Sequence, residues 1–501
     1  MNTIRTRFAP SPTGFVHIGS LRTALFAFLF ARKNQGHIIL RVEDTDQNRK
    51  VEGAVENLLK VMKTVGVEFD EGFFLNDAGL AEQKGEFGPY LQSQRLDLYH
   101  EHIAKLVEEK KAYYCFCSEQ RLEDLRKEQT ALKKPPMYDG HCRRLSQDEI
   151  DKQMAEFKAA GKNPVVRFAI PTSGQTIIED LIYGKIVYEN QLLDDQVLLK
   201  SDGFPTYHLA VVIDDHFMQI SHVIRGEEWI PSTPKHILLY QAFGWEAPKF
   251  AHLPLTLNPD KSKLSKRQGD VAVEDFLAKG YLPEALINFV AFLGWNPKTE
   301  QEIFSLEELI NQFDLNKINK SAPIFDVGKL DWMNSVYIKT KSDVELVELL
   351  KPYWEKAGVE INKFSNEFLQ AVTALEKERL KKLSEIGERT GYYFAAPAVD
   401  PKLLVWKKST SEDAKSKLNE LAEFFENLPE EKFSRENLET EVKNFIAAKN
   451  YDNGSTLWPM RVALTGLEKS PGPFDAAAVL FIGYGKQEIV KRLKSAAASI
   501  I

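Results

Sequence analysis

Two widely separated stretches of this chain carry residue types suited to a nucleotide phosphate. In Arg7-Phe8-Ala9-Pro10-Ser11-Pro12-Thr13-Gly14-Phe15-Val16-His17-Ile18-Gly19-Ser20, strand-like residues run into a turn punctuated by Pro10, Pro12 and Gly14. Apolar residues at helical spacing follow over residues 21–32. His17 and Gly19 therefore fall at a helix N-terminus, where unpaired backbone N–H groups and the helix dipole favour an anion. The second stretch, Lys261-Ser262-Lys263-Leu264-Ser265-Lys266-Arg267-Gln268-Gly269, is a cationic loop ending in glycine. Taken singly, the first is a small-residue helix cap and the second a solvated basic run. Taken together, they are two distant elements suited to one polyanionic ligand.

Such residues need a frame to bring them together. Up to about residue 112 the pattern alternates strand and helix, with strands over residues 5–9 and 37–43 and amphipathic helices over 21–34 and 94–112. This is the βαβ signature of a parallel sheet. Residues 113–194 differ: they hold all three cysteines, a Lys/Glu-rich helix and short strands over 165–170 and 186–188, the texture of an insertion. The sheet is expected to resume over residues 197–224, through a turn at Ser201-Asp202-Gly203. Pro231-Ser232-Thr233-Pro234 then opens a helix to Phe243, and beyond the basic loop helical periodicity runs to the end.

Composition narrows the class. A chain of 501 residues divides into about three to five units. With 43% hydrophobic and 27% charged residues, it reads as soluble and globular rather than disordered. No apolar run reaches the ~20 residues of a membrane span, and the N-terminal residues lack a signal-peptide core. A cytoplasmic protein is expected, with no membrane contact. Three cysteines in such a chain argue against a disulfide framework. The net charge of −7 does not by itself advertise nucleic acid. Lysine-rich tracts such as Lys377-Glu378-Arg379-Leu380-Lys381-Lys382 provide local positive surface, or are ordinary mixed-charge helix faces.

The motifs His17-Ile18-Gly19-Ser20 and Lys263-Leu264-Ser265-Lys266-Arg267 resemble the two signatures of class I aminoacyl-tRNA synthetases. Further segments narrow the resemblance to the bacterial-type glutamyl-tRNA synthetases: Arg7 to Gly14, Arg41-Val42-Glu43-Asp44-Thr45-Asp46, and Val223-Ile224-Arg225-Gly226-Glu227-Glu228-Trp229. It continues more thinly through Lys329-Leu330-Asp331-Trp332-Met333-Asn334 and Ser470-Pro471-Gly472-Pro473-Phe474. The motifs occur in the family's order. The implied fold is an α/β Rossmann-type catalytic domain with an inserted α+β acceptor-binding domain, followed by an all-α anticodon-binding region. The expected boundaries are 1–112 and 195–256 for the two catalytic halves, 113–194 for the insertion, 257–322 for a stem-contact region with the basic loop, and 323–501 for the helical region.

The resemblance implies ATP-dependent activation of L-glutamate and its transfer to tRNA(Glu), by a monomer. Glutamate brings an α-ammonium, a reacting α-carboxylate and a side-chain carboxylate that must be recognised but left unreacted. Arg7 and Arg225 match the positions that bind the side chain, where guanidinium forks suit a carboxylate. Glu43 matches the partner of the ammonium, and Ala9, Ser11 and Tyr207 complete the pocket. His17, Gly19, Glu228, Trp229, Leu264 and Lys266 match the ATP site, with His17, Lys263 and Lys266 the catalytic set acting on the phosphates. Mg²⁺ is expected with the triphosphate, held mainly by phosphate oxygens and water. The acidic run Glu43-Asp44-Thr45-Asp46 weighs less as a metal site than as substrate-binding and loop structure. Val211 departs from the pattern, standing where some members carry asparagine.

Cys115-Phe116-Cys117 and Tyr138-Asp139-Gly140-His141-Cys142 resemble the zinc-binding insertion of some glutamyl enzymes. Arg144 stands where some members have a histidine ligand, so a fourth ligand would come from Tyr138 or His141. Zinc and a metal-free trio of thiols both remain open. Glutaminyl-tRNA synthetase, a short paralogue that glutamylates a modified tRNA base, and a catalytically dead tRNA-binding protein are the rival readings. The long helical C-terminal half weighs against the paralogue, Arg225 favours an anionic side chain, and the intact motif residues weigh against a dead protein.

Overall fold

A computed structural model describes residues 3–46, 51–264, 271–407 and 409–500. It divides into two compact units, one formed by Met1–Phe276 with Leu286–Val327, the other by Leu277–Ala285 with Gly328–Ile501.

In the first unit the strands are β1 (Arg5–Phe8), β2 (His37–Leu40), β3 (Glu71–Leu75), β4 (Ala81–Lys84), β5 (Ala112–Cys115), β6 (Val165–Phe168), β7 (Gln175–Asp180), β8 (Gly184–Glu189), β9 (Val197–Leu199), β10 (His222–Gly226) and β11 (Lys249–Leu253). Its helices include α1 (Ile18–Lys33), α2 (Ala54–Thr64), α3 (Leu96–Glu108), α4 (Glu119–Ala131), α5 (Gln147–Ala159), α6 (Tyr207–Phe217) and α7 (Thr233–Phe243). Strands β1, β2 and β3 lie parallel, with β4 antiparallel at the edge. A second sheet has the order β10-β11-β7-β8, its first three strands parallel. Ser221 joins the two sheets: its N–H donates to the Arg5 carbonyl at 3.0 Å, and its hydroxyl accepts from the Arg5 N–H at 2.8 Å. These parallel strands are buried along most of their length, as expected of a sheet covered on both faces, although β1, Arg5-Thr6-Arg7-Phe8, buries two arginines. Strands β5, β6 and β9 form a separate antiparallel sheet beside α4 and α5.

The expected strand-helix alternation is present, with two differences. The helix expected over 94–112 ends at Glu108; Lys110 then takes a φ of +57°, and Ala112 begins β5. Residues 197–224 are a strand, a helix and a strand, with β9 pairing to β6 and α6 separating it from β10. The cause is burial: Leu209 to Asp215 are buried without interruption, so α6 lacks the alternation of wet and dry faces that marks a helix in sequence. Strands β7 and β8, from the stretch read as an insertion, join the same sheet as β10 and β11.

The second unit is helical throughout its described elements. Several of its helices start on side-chain caps; the Ser342–Glu345 pair, for example, forms a reciprocal capping box at the helix Asp343–Lys356. Some of its interior polar groups are matched: Trp354 Nε1 donates to Thr390 Oγ1 at 2.9 Å, and Arg492 donates to the carbonyls of Tyr392 and Leu464 at 2.6 and 2.7 Å.

Candidate active site

The turn after β1 opens into a cavity of about 430 Å³ lined by Ser11, Thr13, His17, Gly19, Glu228, Trp229, Lys263 and Leu264, among others. A second cavity, of about 450 Å³, is lined by Arg7, Ala9, Ser11, Glu43, Tyr207, Arg225 and Trp229. The two share Phe8, Ala9, Ser11, Pro12, Thr13, Ser20 and Trp229 as common wall. Residues read from sequence as nucleotide-binding thus border one cavity and those read as amino-acid-binding border the next. Lys266 lies outside the described residues.

His17 is the N-cap of α1: the Gly19 N–H donates to its Nδ1 at 2.9 Å. Accepting there leaves the proton of a neutral ring on Nε2. A Cβ at Gly19 would come within 3.1 Å of Nδ1, a tight contact that glycine avoids. The chain on either side of the basic loop is fixed at this cavity. Upstream, Leu257 bridges Lys263, and Leu264 N–H donates to the Thr256 carbonyl at 3.2 Å. Downstream, Ala272 bridges His17, and Ile18 N–H donates to the Val271 carbonyl at 2.8 Å. The two phosphate-suited stretches are therefore neighbours. Arg22, which the sequence reading missed, also lines this cavity; it donates to Thr256 Oγ1 at 2.9 Å and to the carbonyls of Pro254 and Leu293. Burial lowers its pKa to about 10, against the opposing pull of Glu228 and Glu227.

The second cavity rests on buried charges. Arg41 is wholly buried and pairs with Glu43 at 2.9 Å and Asp215 at 2.7 Å. Asp215 also faces Arg7 at 3.3 Å. Burial opposes ionisation of Asp215, but Arg7 and Arg41 outweigh it and hold the carboxyl below its ordinary range. Glu43 goes the other way: burial raises its pKa, only partly offset by Arg41. Asp214, beside Asp215 in the chain, accepts from Arg95 at 2.7 Å, Gln92 at 2.8 Å and Tyr99 at 2.9 Å. Asp214 and Asp215, directly after the apolar run Leu209-Ala210-Val211-Val212-Ile213, are the signal for this network, because buried carboxylates require cationic partners.

Arg225 is directed differently. Its Nε donates to His252 Nε2 at 3.1 Å, Nη1 to the Tyr207 hydroxyl at 3.2 Å, and Nη2 to Thr233 Oγ1 at 2.8 Å. His236 Nδ1 lies 3.4 Å from both terminal nitrogens. All are neutral acceptors, and the ion pairs among the described residues do not include Arg225. Burial lowers its pKa, with Tyr207 opposing. Tyr207 and Trp229 pack with ring centroids 4.3 Å apart, forming the wall on this side. Val211 is buried in α6, one turn after Tyr207.

Of the acidic run, Asp44 is engaged by Ser93 through its N–H at 2.8 Å and hydroxyl at 2.7 Å. Among the described residues, the one cluster of His, Cys, Asp and Glu with metal-ligand spacing is Cys115, Cys117 and Cys142, whose Sγ atoms lie within 4.8 Å of one another. The Tyr138 hydroxyl is 3.6 Å from Cys115 Sγ and 3.4 Å from Cys117 Sγ. His141 is not in the cluster. Arg144 instead donates to the Asp139 carbonyl at 2.9 Å. Contacts from Cys117 and Cys142 favour the Cys115 thiolate, whereas the same contact with Cys115 disfavours ionisation of Cys117. Two guanidinium groups flank the sulfurs: Arg121 donates to Cys117 Sγ at 3.3 Å, and Arg167 stacks 4.1 Å from the Tyr138 ring. Three thiols with a phenol alongside suit a tetrahedral soft-ligand ion such as zinc.

Residues 3–332 match the family model for the catalytic domain of class I tRNA synthetases (E and Q), and residues 345–497 match that for an anticodon binding domain. The chain is 47% identical to a glutamate–tRNA ligase of Alkaliphilus metalliredigens over 99% of each chain. It is 52% identical to that of Clostridioides difficile over 78% of this chain and 79% of the relative. A crystal structure of a glutamate tRNA ligase from Elizabethkingia meningosepticum, in complex with its amino acid, superposes over 100% of both chains with a TM-score of 0.89 at 35% identity. With its cavities, motifs and both domains in agreement, the chain belongs to the glutamate–tRNA ligase family of class I tRNA synthetases.

Proposed function

We propose that this chain activates L-glutamate with ATP and transfers it to the terminal adenosine of tRNA(Glu) for protein synthesis. The observation that carries this reading is the adjoining pair of cavities, one beside the His17 cap and the basic loop, the other around Arg225 and Glu43. In the first step an oxygen of the glutamate α-carboxylate attacks the α-phosphorus, and pyrophosphate leaves. In the second, a hydroxyl of the terminal adenosine attacks the glutamyl carbonyl, and AMP leaves. Neither step calls for a protein nucleophile, so the chain acts by positioning and by meeting negative charge as it develops.

Arg225 binds the side-chain carboxylate and Glu43 the α-ammonium. Arg7 borders the same cavity and contributes from its Asp215-anchored position, while Ala9, Ser11 and Tyr207 hold the backbone of the amino acid toward the shared wall. His17 offers its Nε2–H to the phosphates, Gly19 and Leu264 permit close approach of the nucleotide, and Glu228 and Trp229 flank it. Lys263 and Lys266 neutralise the departing pyrophosphate. Mg²⁺ would supply further charge neutralisation on the triphosphate. The donor set fits an ion held by phosphate oxygens and water, since Glu43 and Asp44 are already committed to Arg41 and Ser93. Cys115, Cys117, Cys142 and Tyr138 would hold zinc as a structural ion in the insertion. The helical region from residue 323 takes the anticodon, and the boundaries expected from sequence divide the remainder. We place the reaction in the cytoplasm, in keeping with three cysteines that form no disulfide, and assign it to a monomer. No described helix is long and apolar enough to cross a membrane.

The test is charging of tRNA(Glu) with radiolabelled glutamate, run beside glutamine and tRNA(Gln). Formation of glutamyl-tRNA(Glu) is expected; its absence with every tRNA supplied overturns the reading.

A further inference from the structure

The resting surroundings of Arg225 pose a question that substrate binding does not answer. A buried guanidinium needs acceptors in every donor direction, and a carboxylate is the usual solution. Here the carboxylate is present but displaced by one imidazole. Arg225 Nε meets His252 Nε2 at 3.1 Å, and His252 Nδ1 meets Asp180 Oδ2 at 2.6 Å. All three residues are buried, His252 completely.

The order of donors follows from valence. An ionised carboxylate only accepts, so the ring proton sits on Nδ1; Nε2 is then the lone pair that Arg225 Nε–H can use. A proton on Nε2 would point at another donor. Thr233 Oγ1 lies 3.1 Å from Nε2, while its hydroxyl donates to the Trp229 carbonyl at 2.9 Å. Asp180 is itself locked: its Oδ1 accepts from the N–H groups of Ile182 and Tyr183 at 2.9 and 2.8 Å, and its Oδ2 also from the His252 N–H at 3.2 Å. It stands at the end of β7, paired with Phe250 of β11, so the hairpin β7–β8 delivers the group that fixes the ring.

We propose that His252, held by Asp180, is a positioning and specificity residue for the amino-acid site. It orients Arg225 without neutralising it. A carboxylate placed directly against Arg225 would fix the fork equally well but cancel the charge that distinguishes a substrate carboxylate from an amide. Arg7, already facing Asp215 at 3.3 Å, lacks that freedom. The other contacts keep to the same rule: Tyr207, Thr233 and His236 are neutral, and His236 passes on to His208, its Nε2 lying 3.0 Å from His208 Nδ1. This inference rests on the reading that Arg225 binds the side-chain carboxylate.

Two measurements test it. In the wild-type full-length chain labelled with ¹⁵N-histidine, the His252 ring is expected neutral, with protonated Nδ1 and unprotonated Nε2; a ring protonated on Nε2 overturns the proposal, and this needs no variant. In steady-state charging, His252→Leu should raise the glutamate KM about tenfold or more, as expected for a lost hydrogen bond to a charged group. The ATP KM should stay close to wild type. His252→Gln, whose side-chain oxygen can accept from Arg225, should restore most of the loss. Parallel rises in glutamate and ATP KM, or an unchanged glutamate KM in folded His252→Leu, overturn the proposal. If Arg225→Leu impairs glutamate selectively while the His252 variants do not, only this inference fails; if the wild type charges no glutamate, the underlying reading fails with it.

Discussion

Arg7 faces the Asp215 carboxylate through a single guanidinium nitrogen, with Nε 3.3 and 3.4 Å from the two oxygens. Asp215 holds Arg41 at the same time, and Arg41 holds Glu43. The groups assigned to the two ends of the amino acid are therefore joined by buried charges. Removing the central carboxylate leaves two buried cations without it. Asp215→Asn is expected to destabilise the catalytic unit by about 3–5 kcal/mol, read as a shift in the urea midpoint with an unchanged slope.

Arg225 separates glutamate from glutamine. Arg225→Leu should lower kcat/KM for glutamate about a hundredfold or more, because a recognised charge loses its partner inside a buried site. Glutamine, measured on the same tRNA, should lose proportionally less. Equal losses would make Arg225 a support for the fold or the nucleotide and leave Arg7 as the reader of the side chain.

His17 performs two tasks that a pair of substitutions can separate. Asparagine presents an oxygen where the ring presents Nδ1, and it is among the best N-caps. His17→Asn should therefore keep the stability of α1 while activity falls. His17→Ala should lose both, the cap alone costing about 1 kcal/mol. Thermal melts beside pyrophosphate exchange distinguish the two.

Glu43 sets an acid limb. Burial raises its pKa, so it protonates at a higher pH than an ordinary glutamate. As pH falls through that value its negative charge vanishes, and kcat/KM for glutamate should fall with it; Glu43→Gln should be low throughout and lack the limb. The same shift costs stability above that pH, where the unfolded chain ionises more readily, and the cost disappears on acidification.

The cysteine cluster makes a compositional prediction. The purified chain should carry about one zinc per molecule, measured by elemental analysis, and Cys142→Ser should lose it. Tyr138→Phe should release zinc to a chelator faster than the wild type, whereas His141→Ala should not.

How much of this was legible in the sequence depended on distance along the chain. The turn and helix start at residues 10–20 declare themselves because proline, glycine and a capping histidine act within a few positions. Arg7, Glu43, Tyr207 and Arg225 became visible through a family resemblance, not through spacing. The roles of Asp215, Arg41, Asp180 and His252 are not legible in sequence, since each has a partner on another strand or helix; Arg41 and Asp215 are 174 positions apart. The strand reading of residues 197–224 failed for a related reason. Val211-Val212-Ile213 look extended by composition, and only burial on all sides of α6 explains why a helix carries them.

The pairing of Arg5 with Ser221 carries a consequence for how the chain matures. The strand made first is closed by a residue 216 positions later. At about 5–20 residues per second of synthesis, β1 spends on the order of ten seconds or more with one edge unsealed. During that interval β2 can cover its other side, but Arg7 and Arg41 lack the Asp215 carboxylate, which has not yet emerged. Chaperone demand should accordingly concentrate on the nascent N-terminal half, and premature termination anywhere before β10 and β11 should leave an aggregation-prone fragment rather than a smaller working domain.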